Sequence, residues 1–245
     1  MILNYLKPKL KLLSIILLLG IMVNSCGSDE EIASVCIYDN ASVISEPSKK
    51  DGKFISNISL GEKVFFLGEN EVDENNKNKK YIFIKMVDGK EGWIQTEFVA
   101  INAKPAVIFE KTEIFARPDL SAISKKTYEP MDIIAIASKK DDWLETIGKR
   151  AAVKGWIKDK GYSESNVDIA TALQIKRALA KSKQSERLAD LLTVSKNTNL
   201  YGSSLFQEII FQEIIKIDPN AFPDHEHGEE FIEEIADTTK ASTPE

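Results

Sequence analysis

The sequence predicts a mainly β protein with a C-terminal α segment: two small β-barrels or sandwiches, followed by about three helices. Three observations predict this. The triplet Gly-Trp-Ile occurs twice, at Gly92-Trp93-Ile94 and Gly155-Trp156-Ile157, each time after a polar turn, as the tip and second arm of a hairpin. The same succession of signals precedes both copies. From Ser163 onward the apolar residues recur at helical rather than strand spacing.

The succession is a Pro-containing turn, an apolar run after a Glu-rich turn, an aromatic-led strand, and then Gly-Trp-Ile. In the first copy it reads Glu46-Pro47, Leu60-Gly61-Glu62-Lys63-Val64-Phe65-Phe66, Tyr81-Ile82-Phe83-Ile84 and Gly92-Trp93-Ile94. In the second it reads Arg117-Pro118, Glu129-Pro130-Met131-Asp132-Ile133-Ile134, Trp143-Leu144-Glu145-Thr146-Ile147 and Gly155-Trp156-Ile157. Pro47 lies 46 residues before Trp93, and Pro118 lies 38 before Trp156; the polar stretch Glu69 to Lys80 of the first copy accounts for most of the difference. Insertions are tolerated in loops, so a loop is expected there.

A chain of 245 residues accommodates one large or two to three small domains, and 43% apolar with 29% charged residues is an ordinary globular composition. The net charge of -6 is unevenly spread. Residues 218–245 hold nine acidic residues and one Lys, whereas residues 26–217 are close to neutral, with 28 basic and 29 acidic. No basic footprint of a nucleic-acid binder is present.

In chain order, residues 1–25 carry Lys7, Lys9 and Lys11 ahead of the apolar run Leu12 to Val23, the pattern of a signal peptide. That run is too short to span a bilayer comfortably, and no later stretch approaches eighteen apolar residues. Val23-Asn24-Ser25-Cys26 resembles the bacterial lipoprotein cleavage motif, with Asn24 where Ala or Ser is commoner. The resemblance implies lipidation of Cys26, cleavage before it, and acyl chains that hold the protein to a bacterial membrane on its extracytoplasmic side, in the cell envelope. Two or more chains at about 0.8 kcal/mol per buried methylene hold firmly. A plain secretory signal cut near a Cys is the alternative reading. Cys36, in the apolar run Val35-Cys36-Ile37-Tyr38, is expected to behave as a small buried hydrophobe. Residues 26–34 are polar and acidic and read as a tether.

Residues 35–100 and 105–162 are the two repeats, joined at Asn102-Ala103-Lys104-Pro105. A unit near sixty residues buries a limited core, so the two are expected to lean on each other or on the helices that follow. The order of signals, ending in Asp88-Gly89-Lys90-Glu91-Gly92-Trp93-Ile94-Gln95, resembles the bacterial SH3-like (SH3b) domain of extracytoplasmic proteins. The resemblance covers most of residues 35–162 and implies two small SH3-like β-barrels of five to six strands each. Both copies depart from the family's usual Arg-Ser-Gly-Pro opening, with Ile44-Ser45-Glu46-Pro47 and Phe115-Ala116-Arg117-Pro118. The second copy also lacks the Asp-Gly turn before its Trp. What the family resemblance implies for function is binding of cell-wall peptide.

Peptide-binding folds of this kind use aromatic-lined grooves, which makes Tyr81, Trp93, Trp143, Trp156 and Tyr162 the candidate ligand contacts. The competing reading is that Trp93 and Trp156 pack the barrels. Trp143, following Lys139-Lys140-Asp141-Asp142, is expected to show a face to solvent.

Beyond the repeats, Ser165 and Asp168 have capping-box spacing, and Ile169, Ala172, Leu173, Leu179 and Ala180 follow at helical spacing. Leu188, Leu191 and Leu192 mark a second helix. A third, residues 203–217, is so apolar that it must be covered, by the rest of the chain or by a partner. Asp218-Pro219 ends it. Residues 218–245 are acidic and are expected to be disordered, with Phe231, Ile232 and Ile235 spaced for one amphipathic turn.

The chemistry-bearing motifs are weak. His225-Glu226-His227 offers imidazoles and a carboxylate, but a solvated tail gives a metal no fixed geometry. The stretch Asp73 to Asn78 departs from a calcium loop, with Lys77 at a ligand position and Ile84 in place of the bidentate Glu. No Gly-rich phosphate loop and no Gly-x-Ser-x-Gly elbow is found. The expectation is a membrane-anchored binding protein without catalytic residues, cofactor or metal, whose partner is cell-wall peptide or an envelope protein. The alternative is a scaffold or adhesin acting through its apolar C-terminal helix.

Overall fold

The computed structural model describes residues 31–197, 199 and 205–222. The signal segment, Cys26 and residues 223–245, with His225 and His227, lie outside the described residues.

Alternation along the strands sets the architecture. The first repeat forms β1 (Ile32–Cys36), β2 (Ala41–Ile44), β3 (Phe54–Ile58), β4 (Lys63–Asp73), β5 (Lys79–Met86), β6 (Glu91–Gln95) and β7 (Val99–Ile101). The second forms β8 (Lys104–Ile108), β9 (Thr112–Phe115), β10 (Ile123–Tyr128), β11 (Ile133–Lys140), β12 (Trp143–Ile147), β13 (Lys154–Lys158) and β14 (Tyr162–Ser163). Each repeat is one seven-stranded antiparallel sheet. The orders are β3-β2-β6-β5-β4-β1-β7 and β10-β9-β13-β12-β11-β8-β14, the same topology laid down twice.

Three details differ from the sequence expectation. Each sheet has seven strands rather than five or six, because the short β7 and β14 pair back on β1 and β8. β1 begins at Ile32, inside the stretch read as tether: Ile32, Ala33 and Ser34 pair with Phe66, Phe65 and Val64, and backbone pairing does not require apolar side chains. The stretch Glu69 to Lys80 is not an irregular loop. It lengthens the β4–β5 hairpin, with Asn70 opposite Ile82 and Asp73 opposite Lys79, so its polar side chains sit on a ribbon with little core to cover.

All seven strands of the first sheet contribute to one core, through Cys36, Val43, Ile58, Val64, Ile84, Ile94 and Val99. No residue of the C-terminal helical segment takes part in that cluster, so the sheet buries these side chains by curling over itself. Gly92 in β6 and Gly155 in β13 sit where the neighbouring strand approaches closely. A Cβ on Gly92 would fall 2.6 Å from Val43 Cγ1, and one on Gly155 2.6 Å from Ile114 Cγ2. In the second core Tyr128 is buried among Ile114, Ile134, Leu144 and Ile157, and its hydroxyl donates to Thr146 Oγ1 at 3.2 Å.

The chain then forms the α-helices α1 (Asn166–Leu179), α2 (Gln184–Lys196) and α3 (Gln207–Ile217). Phe206, Ile210 and Ile214 are fully buried against Ile175, Leu191 and Val194, so α3 is covered by its own chain. Burying each of these Ile side chains contributes on the order of 2 kcal/mol. The buried Asp168 carboxylate accepts from Ser163 Oγ at 2.6 Å and from the Leu205 N–H at 2.8 Å, joining the start of α1 to the approach to α3.

The expected mutual support is present in both forms. Val35, Ile37, Ala100, Ala103, Ala135 and Ile147 form an apolar seam between the modules. Leu60 from the first module and Val107 and Ile133 from the second pack into the helical core.

Candidate binding surface

The hairpin that carries Trp93 is set by its turn: Asp88 Oδ1 accepts the Lys90 N–H at 3.1 Å, and Gly89 takes a φ of +84°, which a side chain would strain. The Lys90 ammonium, followed by the Lys90 backbone N–H, holds the exposed Asp88 carboxyl below its ordinary range. Along β6, Gly92 and Ile94 point inward, leaving Trp93 half-buried on the outer face.

Cross-strand pairing places Trp93 in a row. Phe83 on β5 is opposite Trp93, Trp93 is opposite Ile44 on β2, and Ile44 is opposite Phe54 on β3, just past a bulge. Directly opposed residues share a face and touch across the strands. The Phe83 and Trp93 rings are 5.1 Å apart, and Phe54, at the end of the row, is 64% exposed.

The loop joining β2 to β3 folds back over this face. A Cβ on Gly52 would lie 2.9 Å from Ile44 Cδ1, and the Lys49 N–H donates to Asp73 Oδ2 at 3.0 Å at the far end of the β4–β5 hairpin. Asp73 also accepts the Asn75 N–H at 3.1 Å, so this carboxylate fixes a loop rather than holding a cation. Lys49, Lys50 and Lys53 stand exposed along the loop.

The equivalent row of the second module is Ile123, Phe115, Trp156 and Glu145. Glu145 replaces Phe83 and is held by Ser138 Oγ at 2.9 Å and by Lys154 at 3.6 Å. A carboxylate there ends the apolar row one strand early. Ile123 is 53% exposed, whereas Phe115 is buried.

The five aromatic candidates therefore divide. Trp93 and Trp156 hold matching positions on the two outer rows, neither exposed nor fully in the core. Trp143 does not show a face to solvent. It is buried, with the Phe115 ring edge-on at 4.9 Å and Lys158 Nζ 4.1 Å above its ring; of the charges before it, Asp141 and Asp142 form the turn and Lys140 pairs opposite it on β11. Tyr81, at the matching position of the first module, is 2% exposed and offers no contact surface. Tyr162 is half-buried on β14 and its hydroxyl donates to Asp159 Oδ1 at 2.7 Å. Burial, then Asp159, pushes its phenol well up, while Lys139, then Tyr162, holds the Asp159 carboxyl down. It lines a cleft of about 500 Å³ between the modules with Ala33, Asn102, Lys104, Lys139 and Glu164, apart from both rows.

Phe54, Ile44 and Phe83 are the surface residues that sequence reasoning missed. Phe83 was findable, because the alternation from Tyr81 to Ile84 puts it on the face opposite Ile82. Phe54 and Ile44 were not, since their place beside Trp93 depends on β2 pairing with β6, more than forty residues away in the chain. Among the described residues no three His, Cys, Asp or Glu side chains cluster to hold a metal, and no helix is long and apolar enough to cross a membrane.

No family model and no curated protein matches the sequence. Among solved structures, the chain is similar to NlpC2 from Trichomonas vaginalis, with 11% identity, 68% of this chain and 57% of that chain covered, and a TM-score of 0.24. It is similar to NlpC1 from the same organism at 10% identity, covering 62% and 55%, with a TM-score of 0.24. The chain thus spans little more than half the length of these two proteins. The CBD of endolysin LysPBC5 is similar at 12% identity over 56% of this chain and 95% of that chain, with a TM-score of 0.22.

Proposed function

We propose that this chain is a non-enzymatic, extracytoplasmic binding protein, anchored by lipid on Cys26, whose first module takes up cell-wall peptide along its outer aromatic row. One observation carries the reading: Phe83, Trp93, Ile44 and Phe54 form an unbroken apolar row ending in a largely exposed ring. Exposed aromatic anchors on rigid strands are where binding energy concentrates, because they lose little conformational entropy on contact. The resemblance of the repeat to cell-wall modules supports the choice of ligand. Capture of a protein partner through α3 is less favoured, because Phe206, Ile210 and Ile214 are already covered.

The test is retention of the purified protein on cell-wall sacculi. Trp93→Ala and Phe54→Ser are each expected to weaken retention on the order of tenfold. Trp156→Ala, on the interrupted row, is expected to change it little. Equal retention by all three variants, or none by the folded parent, would remove the proposal. Anchoring is checked separately: Cys26→Ser is expected to move the protein from the membrane to the soluble fraction.

A further inference from the structure

The loop Ser45 to Lys53 carries Lys49, Lys50 and Lys53, all exposed and none in an ion pair among the described residues, beside the exposed ring of Phe54. With Glu46 and Asp51 in the same loop its net charge is +1, and an apolar row bordered by three unpaired ammoniums on a net-positive loop suits an occupant that is itself apolar on one side and anionic on the other. The sequence contains such a segment. Glu229-Glu230-Phe231-Ile232-Glu233-Glu234-Ile235-Ala236-Asp237 sets Phe231, Ile232 and Ile235 one and four positions apart, the spacing of a single helical face, with carboxylates around them.

The described chain ends at Phe222, whose ring lies 5.2 Å from Phe211 of α3, in the helical cluster that also holds Leu60 of the first module. Residues 223 to 231 span up to about 30 Å when extended. The second module is the poorer seat, because Glu145 interrupts its row beside Trp156 and leaves less apolar surface for Phe231, Ile232 and Ile235.

We propose that residues 229–237 dock on the outer row of the first module, Phe231, Ile232 and Ile235 against Phe54 and Trp93, and Glu229, Glu230, Glu233 and Glu234 against Lys49, Lys50 and Lys53. Docked there, the segment covers the surface proposed above for cell-wall peptide, and this covering role rests on that reading. Free ligand and segment then compete, and occupancy falls as salt screens the pairs.

Zero-length carbodiimide cross-linking of the full chain, mapped by mass spectrometry, tests the contact. The expected products join residues 45–53 to residues 229–237 within one chain, shown by mixing isotopically light and heavy protein. They are expected to decline several-fold at high salt and in Phe231→Ser/Ile232→Ser, which lies outside the described fold and leaves every lysine in place. Products centred on Lys125 and Lys126, spread evenly over the surface lysines, or found only between chains would overturn the proposal. Removing residues 223–245 is expected to raise retention on sacculi several-fold. If cross-links form as expected but Trp93→Ala retains sacculi like the parent, the docking stands and the ligand reading falls. If retention depends on Trp93 but cross-links are scattered, the reverse holds.

Discussion

Cys36 shows how one buried atom couples packing to pH. The residue is fully buried, and its Sγ–H donates to the Tyr38 carbonyl oxygen at 3.0 Å. Burial pushes its thiol from 9.0 up to about 12, and burial likewise pushes the Tyr128 phenol from 10.0 up to about 12. Both folded values lie above the unfolded ones, so the stability they contribute is fully present below about pH 9. It declines as pH rises through 9 to 12, because the unfolded chain releases these protons first. Urea midpoints followed by Trp fluorescence are expected to fall between pH 9 and 11, less steeply in Tyr128→Phe. At pH 8 a maleimide is expected to leave Cys36 unmodified in the folded protein and to label it quickly in urea. Cys36 was legible as a core residue from its apolar neighbours alone.

At the scale of elements, the hairpin and the first helix each depend on one residue. Gly92→Ala would put a methyl group 2.6 Å from Val43 Cγ1 and 2.9 Å from the Ile44 carbonyl oxygen and Ile55 Cδ1. β2 must move for it to fit, and a loss of about 1–3 kcal/mol is expected in chemical denaturation. Asp168→Ala would leave the Leu205 N–H and the Ser163 hydroxyl without their acceptor in a half-buried setting, at a cost of about 2 kcal/mol. Hydrogen exchange in that variant is expected to speed up at Leu205 and in α3 before it does in the sheets. Capping-box spacing revealed Asp168 as a helix-start residue. It could not reveal the bond to Leu205, which is made by a segment 37 residues downstream.

On the scale of the molecule, the two sheets and the helices meet at Gly61. Its φ is +82°, and an added Cβ would lie 2.9 Å from Ile133 Cγ2 and 3.2 Å from Ile169 Cγ2, one in the second module and one in α1. Arg177 of α1 reaches Asp39 at 3.0 Å and Lys176 reaches Asp132 at 2.7 Å, one pair on each module. These pairs are largely exposed and contribute at most about 1 kcal/mol each. The apolar seam does more of the joining. Gly61→Ala is therefore expected to cost more than Arg177→Ala, about 2 kcal/mol through strained backbone and the contact with Ile133. A single cooperative melting transition is expected for the parent. Two well-separated transitions in the parent would show that the modules do not support each other.

By itself the sequence determined that a small all-β unit occurs twice and that helices follow. Those facts reside in local signals: turn residues, strand alternation and helical spacing, each readable within about fifteen residues. The tertiary structure alone decided which aromatic side chains are available. Trp143 and Tyr81 face outward by alternation yet lie buried, Trp143 under Phe115 and Lys158 from other strands, whereas Phe54 is left bare. Exposure is a property of what lies above a residue, and that is set by long-range pairing rather than by its neighbours in the chain.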